Sequence, residues 1–190
     1  MKKPAVFLDR DGTLTEEVGY VNHPDRLHLL PGAAEAVRRI NAMEWRAIVI
    51  TNQAGVARGY MSEDVVRETM KRLEALLAEE GARLDGIYFC PHHLSSQDAR
   101  YALDCACRKP RRGLVDAACR EHEIDLARSV AVGDKYYSDV ALAHGIGIPG
   151  ILVLTGYGLG ERENQSRDWP RQPEYIARDV LDAVRWISEQ

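Results

Sequence analysis

The sequence predicts an α/β protein built on a doubly wound, mainly parallel sheet of five to six strands. Short Val/Ile/Leu runs such as "AVFLD" and "WRAIVIT" lack polar alternation, as strands covered on both faces require. Those runs alternate with helical patterns along the chain, the order expected of a parallel Rossmann-like sheet. At 190 residues the chain suffices for one well-buried core and is short for two, so a single domain over 1–190 is expected.

Each element has a local reason. Residues 5–9 read as the first strand, and Pro31-Gly32 opens a helix over 33–43. A second strand covers 45–51. Ser62 at an N-cap position and Gly81 past the last turn bound an amphipathic helix over 62–81. "GIYFC" (86–90) is a third strand, followed after an insert by a helix over 113–124. "SVAVGD" (129–134) and "GILVLT" (150–155) read as the fourth and fifth strands around a short helix near 138–144. The polar stretch 160–173 is expected to be a loop, with a final helix over 174–188. Inserts at 14–31 and 91–112 are too short to form a second domain.

Composition narrows the function classes. With 45% apolar and 28% charged residues the chain has the balance of a soluble globular protein. A net charge of −4 weighs against non-specific nucleic-acid binding. No apolar run approaches the ~20 residues of a membrane span, and no apolar leader with a cleavage site is seen. A cytoplasmic protein with neither a nucleic-acid nor a membrane partner is expected.

In doubly wound sheets ligands bind beyond the C-terminal strand ends, so those ends are read together. The first strand ends in Asp9 and Asp11, the second in Thr51 and Asn52, and the fourth in Asp134. Lys109 follows the third strand after the insert. Asp9 and Asp11 are two apart, and an extended backbone would point both the same way. Carboxylates so close repel, and a divalent cation relieves them; oxygen ligands beside a phosphate favour Mg²⁺. Asp9 has the chemistry to attack phosphorus, and Asp11 to protonate the leaving alkoxide and then activate water. Thr51 and Lys109 have the chemistry to hold the phosphoryl oxygens. "DRDG" is also a fair turn sequence, but a bare turn leaves the acid, hydroxyl and lysine at the other strand ends without a role.

"VFLDRDGTL", "IVITNQ", Lys109 in "CRKP" and "VAVGDKYYSD" follow one another in that order. They resemble the four motifs of the haloacid dehalogenase superfamily of aspartate-nucleophile phosphatases. The resemblance implies a HAD-like fold with Asp9 as nucleophile and Asp11 as general acid/base. It also implies Mg²⁺ held by Asp9, Asp134 and the backbone carbonyl of Asp11. Asp139 lies five residues after Asp134 and is expected in the outer shell of the metal. With no cap domain, the loops at 14–31, 53–61 and 91–112 must wall the pocket of this capless member.

The 91–112 insert carries its own signal. Cys90 and His92 form C-x-H, twelve residues follow, and Cys105 and Cys107 form C-x-C. Three thiolates and one imidazole make a closed tetrahedral set, the pattern of structural Zn²⁺. Such a staple would position Arg108 and Lys109; His93 would break the C-x-H spacing. A disulfide within the cluster is the competing reading. Cys119 stands apart in a helical pattern and is expected to be a free buried thiol.

Within the superfamily the insert resembles two groups, heptose bisphosphate 7-phosphatases and histidinol-phosphate phosphatases. Gly19-Tyr20-Val21, "TNQAGVARG" at 51–59 and the twelve-residue spacer favour the former. That resemblance implies removal of the C7 phosphate of D-glycero-D-manno-heptose 1,7-bisphosphate, a small phosphorylated sugar, by a monomer. Histidinol phosphate or another small sugar phosphate is the alternative. It further implies that Asn52, Gln53, Arg108 and Lys109 touch the substrate, with Arg108 suited to the distal phosphate. "RKPRRG" departs from the group in having Arg112 where proline is usual. Arg111 and Arg112 either extend the phosphate patch or form a solvated helix start. Tyr136, Tyr137 and Trp169 are expected to fill space rather than stack on a ligand. His122 and His144 have no identifiable partner in the sequence.

Overall fold

The computed structural model describes residues 2–190. Its strands are β1 (Ala5–Leu8), β2 (Arg46–Asn52), β3 (Gly86–Cys90), β4 (Val130–Gly133), β5 (Gly150–Val153) and β6 (Tyr175–Ala177). They form one all-parallel sheet in the order β3-β2-β1-β4-β5-β6. Phe7 of β1 lies opposite Ile48 on one side and Ala131 on the other. The chain starts at β1, winds outward to β3, then crosses back to β4. The strand order therefore reverses beside β1, which opens a crevice at its C-terminal end.

Alternate residues of β1 serve two cores. Val6 and Leu8 pack with α1 (Ala33–Ala42), α6 (Val180–Ser188) and Leu73 and Leu77 of α2 (Glu63–Glu79). Ala5 and Phe7 pack with Leu114, Val115 and Ala118 of α3 (Gly113–Glu121) and Leu142 of α4 (Ala141–Gly145). Burial on both faces explains why the strand sequences show no polar alternation. Truncating Phe7 to alanine would leave a cavity costing about 3–5 kcal/mol and would loosen the strand that ends at the site. The caps follow the sequence: the Ser62 hydroxyl accepts from the Val65 amide at 3.3 Å, and Asp179 caps α6 through the Asp182 amide at 2.8 Å.

Two stretches differ from expectation. The stretch 160–173, expected as a loop, begins inside α5 (Gly158–Gln165). Gly158 and Gly160 depress its helix propensity, and tertiary contact compensates: the Glu161 carboxylate accepts the Tyr136 amide at 2.5 Å. The span 174–188, expected as one helix, opens instead with β6, whose three residues are too short to carry a period-2 signal. The short helix near 138–144 is two turns of different pitch, a π turn at Tyr136–Val140 running into α4.

Tyr136 stacks on Trp169 at 4.5 Å and 5° beside Val140 and Leu152, as space-filling aromatics do. His144 has a partner the sequence did not reveal, Glu174 at 3.1 Å. His122 packs over Gly86, where a Cβ would come within 2.9 Å of its Nε2. No helix of the described residues is long and apolar enough to cross a membrane.

Candidate active site

The site begins where β1 stops. The Asp9 amide still donates to the Val132 carbonyl at 3.0 Å, but the next residues fold into a tight turn. The amides of Leu14 and Thr15 both reach back to the Arg10 carbonyl at 2.9 Å, with Gly12 at φ +77° inside the turn. Strand alternation is therefore not what aims the two acids, because β1 ends at Leu8. Asp9 sinks to the cleft floor, 6% exposed. The Asp11 carboxylate is instead clamped from the side by the Arg10 guanidinium, at 2.9 and 2.8 Å, and by the Gln53 amide at 2.9 Å. Both still face one cleft of about 440 Å³, together with Thr51, Asn52, Gln53, Arg108 and Lys109.

Arg10, only 1% exposed, is the clamp's anchor: it also donates to Gln53 Oε1 and Thr69 Oγ1, each at 3.1 Å. Gln53 donates in turn to Thr51 Oγ1 at 3.0 Å. The side chain of Asn52 grips the Lys109 backbone, accepting from its amide at 3.0 Å and donating to its carbonyl at 3.1 Å. Lys109 Nζ then reaches Asp9 at 3.1 Å, Asp139 at 2.6 Å and the Ile50 carbonyl at 2.8 Å. A lysine from a long insert is thus fixed against the end of β1.

Asp134 follows β4 and is wholly buried. Its Oδ2 accepts the Tyr157 amide at 2.8 Å, while its buried Oδ1 has no partner. Gly12 and Gly156 press on it so closely that a Cβ at either would lie 2.2 Å from Oδ2. One carboxylate oxygen from each of Asp9, Asp134 and Asp139 lies within 4.8 Å of the others. An unpartnered oxygen among three buried carboxylates fits a hard divalent cation.

The electrostatics follow from that crowding. Burial alone would push Asp9 up, but Lys109, Lys135 and the Arg10 amide outweigh it and hold the group below the ordinary carboxylate value. Burial, then the Asp9 charge, pushes Asp134 up to about 8. Asp139 is pushed up to about 6 by burial despite Lys109. Lys109 is desolvated, yet Asp139 and Asp9 raise it above an ordinary lysine.

Other cleft residues escaped sequence reasoning. Lys135 lies 4.4 Å over the Tyr157 ring and 3.4 Å from Glu17. Lys135 follows Asp134 directly and Tyr157 follows β5, so reading past each strand end would have found both. Glu17 sits in an irregular loop with no local signal.

The second cluster lies beside the first. Sγ of Cys107 is 2.9 Å from Cys90 and 3.3 Å from Cys105, and His92 Nδ1 is 3.3 Å from Cys107. All four cysteines are free, so the disulfide reading fails. His93 is directed elsewhere, its Nδ1 accepting from the Ser95 amide at 3.1 Å. Hydrogen bonding with Cys90, then Cys105 and His92, outweighs burial and draws the Cys107 thiol down to about 5. Such a closed set of soft ligands can hold a metal ion. Cys119 lies outside it on α3, half-buried rather than fully buried as expected. Arg111 pairs with Asp104 at 2.6 Å and Arg112 with Asp116 at 2.9 Å; neither lines the cleft.

A family model described as HAD-hydrolase-like matches residues 106–183. A D-glycero-D-manno-heptose-1,7-bisphosphate 7-phosphatase of Thermosynechococcus vestitus is 47% identical over 98% of this chain and 96% of its own. The chain belongs to this family of HAD-like phosphatases. A D-glycero-beta-D-manno-heptose-1,7-bisphosphate 7-phosphatase of Pasteurella multocida is 39% identical over 98% of the chain and 97% of its own. Among solved structures, a D,D-heptose 1,7-bisphosphate phosphatase from B. bronchiseptica, complexed with magnesium and phosphate, superposes with a TM-score of 0.83. It is 30% identical and covers 100% of this chain and 99% of that one. The chain is accordingly a phosphoric monoester hydrolase.

Proposed function

We propose that this single-domain protein acts as a cytoplasmic monomer and removes the C7 phosphate of D-glycero-D-manno-heptose 1,7-bisphosphate through an aspartyl-phosphate intermediate. The observation that carries the chemistry is one buried carboxylate, Asp9, kept ionised by Lys109 in the cleft that also presents the clamped carboxylate of Asp11. The names of the relatives support the heptose substrate.

Asp9 Oδ attacks phosphorus, the bond from phosphorus to the sugar oxygen breaks, and Asp11 delivers its proton to the leaving alkoxide. Asp11, now a carboxylate, takes a proton from water as that water attacks phosphorus, releasing phosphate and regenerating Asp9. The Thr51 hydroxyl and the Lys109 ammonium hold the phosphoryl oxygens where charge accumulates. Lys109 also quenches the Asp9 charge between turnovers. Asn52 and Gln53 keep these groups in register while lining the substrate's path, and Arg108 faces the distal phosphate.

Asp9, Asp134 and the Asp11 backbone carbonyl would hold Mg²⁺, with Asp139 behind them. When bound, Mg²⁺ offsets the repulsion among the acids and polarises the phosphoryl group. Cys90, His92, Cys105 and Cys107 would hold Zn²⁺ in a structural role.

The test is a phosphate-release screen with Mg²⁺ over phosphorylated sugars and histidinol phosphate. The heptose bisphosphate is expected to give the highest kcat/KM. Higher kcat/KM on histidinol phosphate would overturn the substrate, and no release from any monoester would overturn the reaction.

A further inference from the structure

Two cations that line the cleft already have an acidic partner: Lys109 is held by Asp9 and Asp139, and Lys135 by Glu17. Arg58 and Arg108 differ: both line the cleft, and their hydrogen bonds go to neutral oxygens. Arg58 donates to the Tyr20 hydroxyl, and Arg108 donates to the His92 carbonyl at 3.2 Å. A guanidinium has five N–H donors, so each keeps most of its fork for a ligand.

Arg58 is also built into place. The 53–61 loop closes on itself through the Arg58 amide to the Ala54 carbonyl at 3.0 Å and the Tyr60 amide to the Gly55 carbonyl at 2.9 Å. Ser96 of the cysteine-bearing insert donates to the Ala57 carbonyl at 2.6 Å, tying the two loops together beside Arg58. Tyr20 packs so closely on Gly55 that a Cβ there would come 2.9 Å from its ring. That ring lies 4.6 Å from Tyr60 and beneath the Arg58 guanidinium at 5.9 Å. Three loops therefore converge to hold one unneutralised guanidinium at the wall of the cleft.

We propose that Arg58, oriented by Tyr20, joins Arg108 as a specificity-determining arm of the subsite for the second, non-reacting phosphate of the substrate. The inference rests on the reading above that the substrate carries two phosphates. Two guanidinium forks suit a phosphate dianion, which accepts several charge-assisted hydrogen bonds at once. Glu17 and Lys135 line the same cleft but pair with each other, which leaves Arg58 and Arg108 as its guanidiniums without an acidic partner among the described residues.

The test compares kcat/KM for heptose 1,7-bisphosphate and heptose 7-phosphate in the wild type, Arg58→Ala, Arg58→Lys and Tyr20→Phe. Arg58→Ala is expected to lower the bisphosphate-to-monophosphate ratio by about tenfold or more, chiefly through the KM for the bisphosphate. Arg58→Lys should fall between it and the wild type, because the charge stays and the fork is lost. Tyr20→Phe should lower the ratio by about two- to fivefold. An unchanged ratio in Arg58→Ala, whether both rates fall together or neither moves, would overturn the role. Failure of the wild type on both heptose phosphates would instead defeat the substrate assignment. The same ratio would then be read on fructose 1,6-bisphosphate and fructose 6-phosphate. An absence of wild-type preference for that bisphosphate as well would overturn the subsite.

Discussion

Two groups of side chains that could hold a metal ion lie at one edge of this sheet and are built in opposite ways. Asp9, Asp134 and Asp139 come from the ends of central strands or just after them, are buried, and leave one oxygen unpartnered beside an open cleft. Cys90, His92, Cys105 and Cys107 come mostly from an insert and close on one another. The first group keeps a carboxylate oxygen without a partner; the second offers four soft ligands that face one another. An open set of hard oxygens suits turnover, and a closed set of soft ligands suits support. The two are joined by chain continuity, since Arg108 and Lys109 immediately follow Cys107.

The sharpest break between them is Asp9→Asn. Phosphate release should fall by at least about a thousandfold, while metal held by the cysteine cluster and the thermal midpoint stay close to wild type. Substantial residual turnover would refute the nucleophile assignment.

Cys107→Ser attacks the other group. Wild type purified without chelator should carry roughly one zinc per chain, and the variant less than half of that. Because Lys109 is two residues away, activity should also fall about ten- to a hundredfold through its misplacement. A wild type with less than half an equivalent, or a variant that keeps its full complement, would remove the staple.

The carboxylate group also predicts a pH signature. Without a cation, burial and then the neighbouring Asp9 charge push Asp134 up to about 8, and burial, with the Asp9 charge, pushes Asp139 up to about 6. Unfolded carboxyls titrate near about 3.9, so the folded chain holds extra protons between these values. Their contribution to stability is fully present below about 4 and is lost as pH rises through the folded values. Asp9, held low, works the other way, but its window lies below the ordinary carboxylate value. Saturating Mg²⁺ should therefore raise the melting temperature by several degrees more at pH 8 than at pH 6. Equal shifts at both would count against a cation among these acids.

The smallest effect is expected outside both groups. Arg112→Ala loses an exposed pair with Asp116 and should change kcat/KM by less than about twofold and stability by under about 0.5 kcal/mol. A larger loss in kcat/KM on the bisphosphate would restore the reading of "RKPRRG" as phosphate-binding.

What could be read beforehand depended on how local its cause is. β1 was legible because Ala5 to Leu8 are buried on both faces, and the acid positions followed from where that burial must stop. The C-x-H and C-x-C spacing carried the second cluster, because those ligands are near one another in the chain. The clamp on Asp11 was not legible, since its parts come from Arg10, Gln53 and, behind them, Thr69 on α2. β6 and α5 were missed because three strand residues and a glycine-rich turn give weak local patterns that tertiary contacts override.

Arg10 has one more consequence. Its guanidinium spans from the Asp11 carboxylate at the cleft to the Thr69 hydroxyl inside α2. A shift of that helix, even from substitutions along its solvent side, would therefore be felt at the Asp11 carboxylate through one planar group.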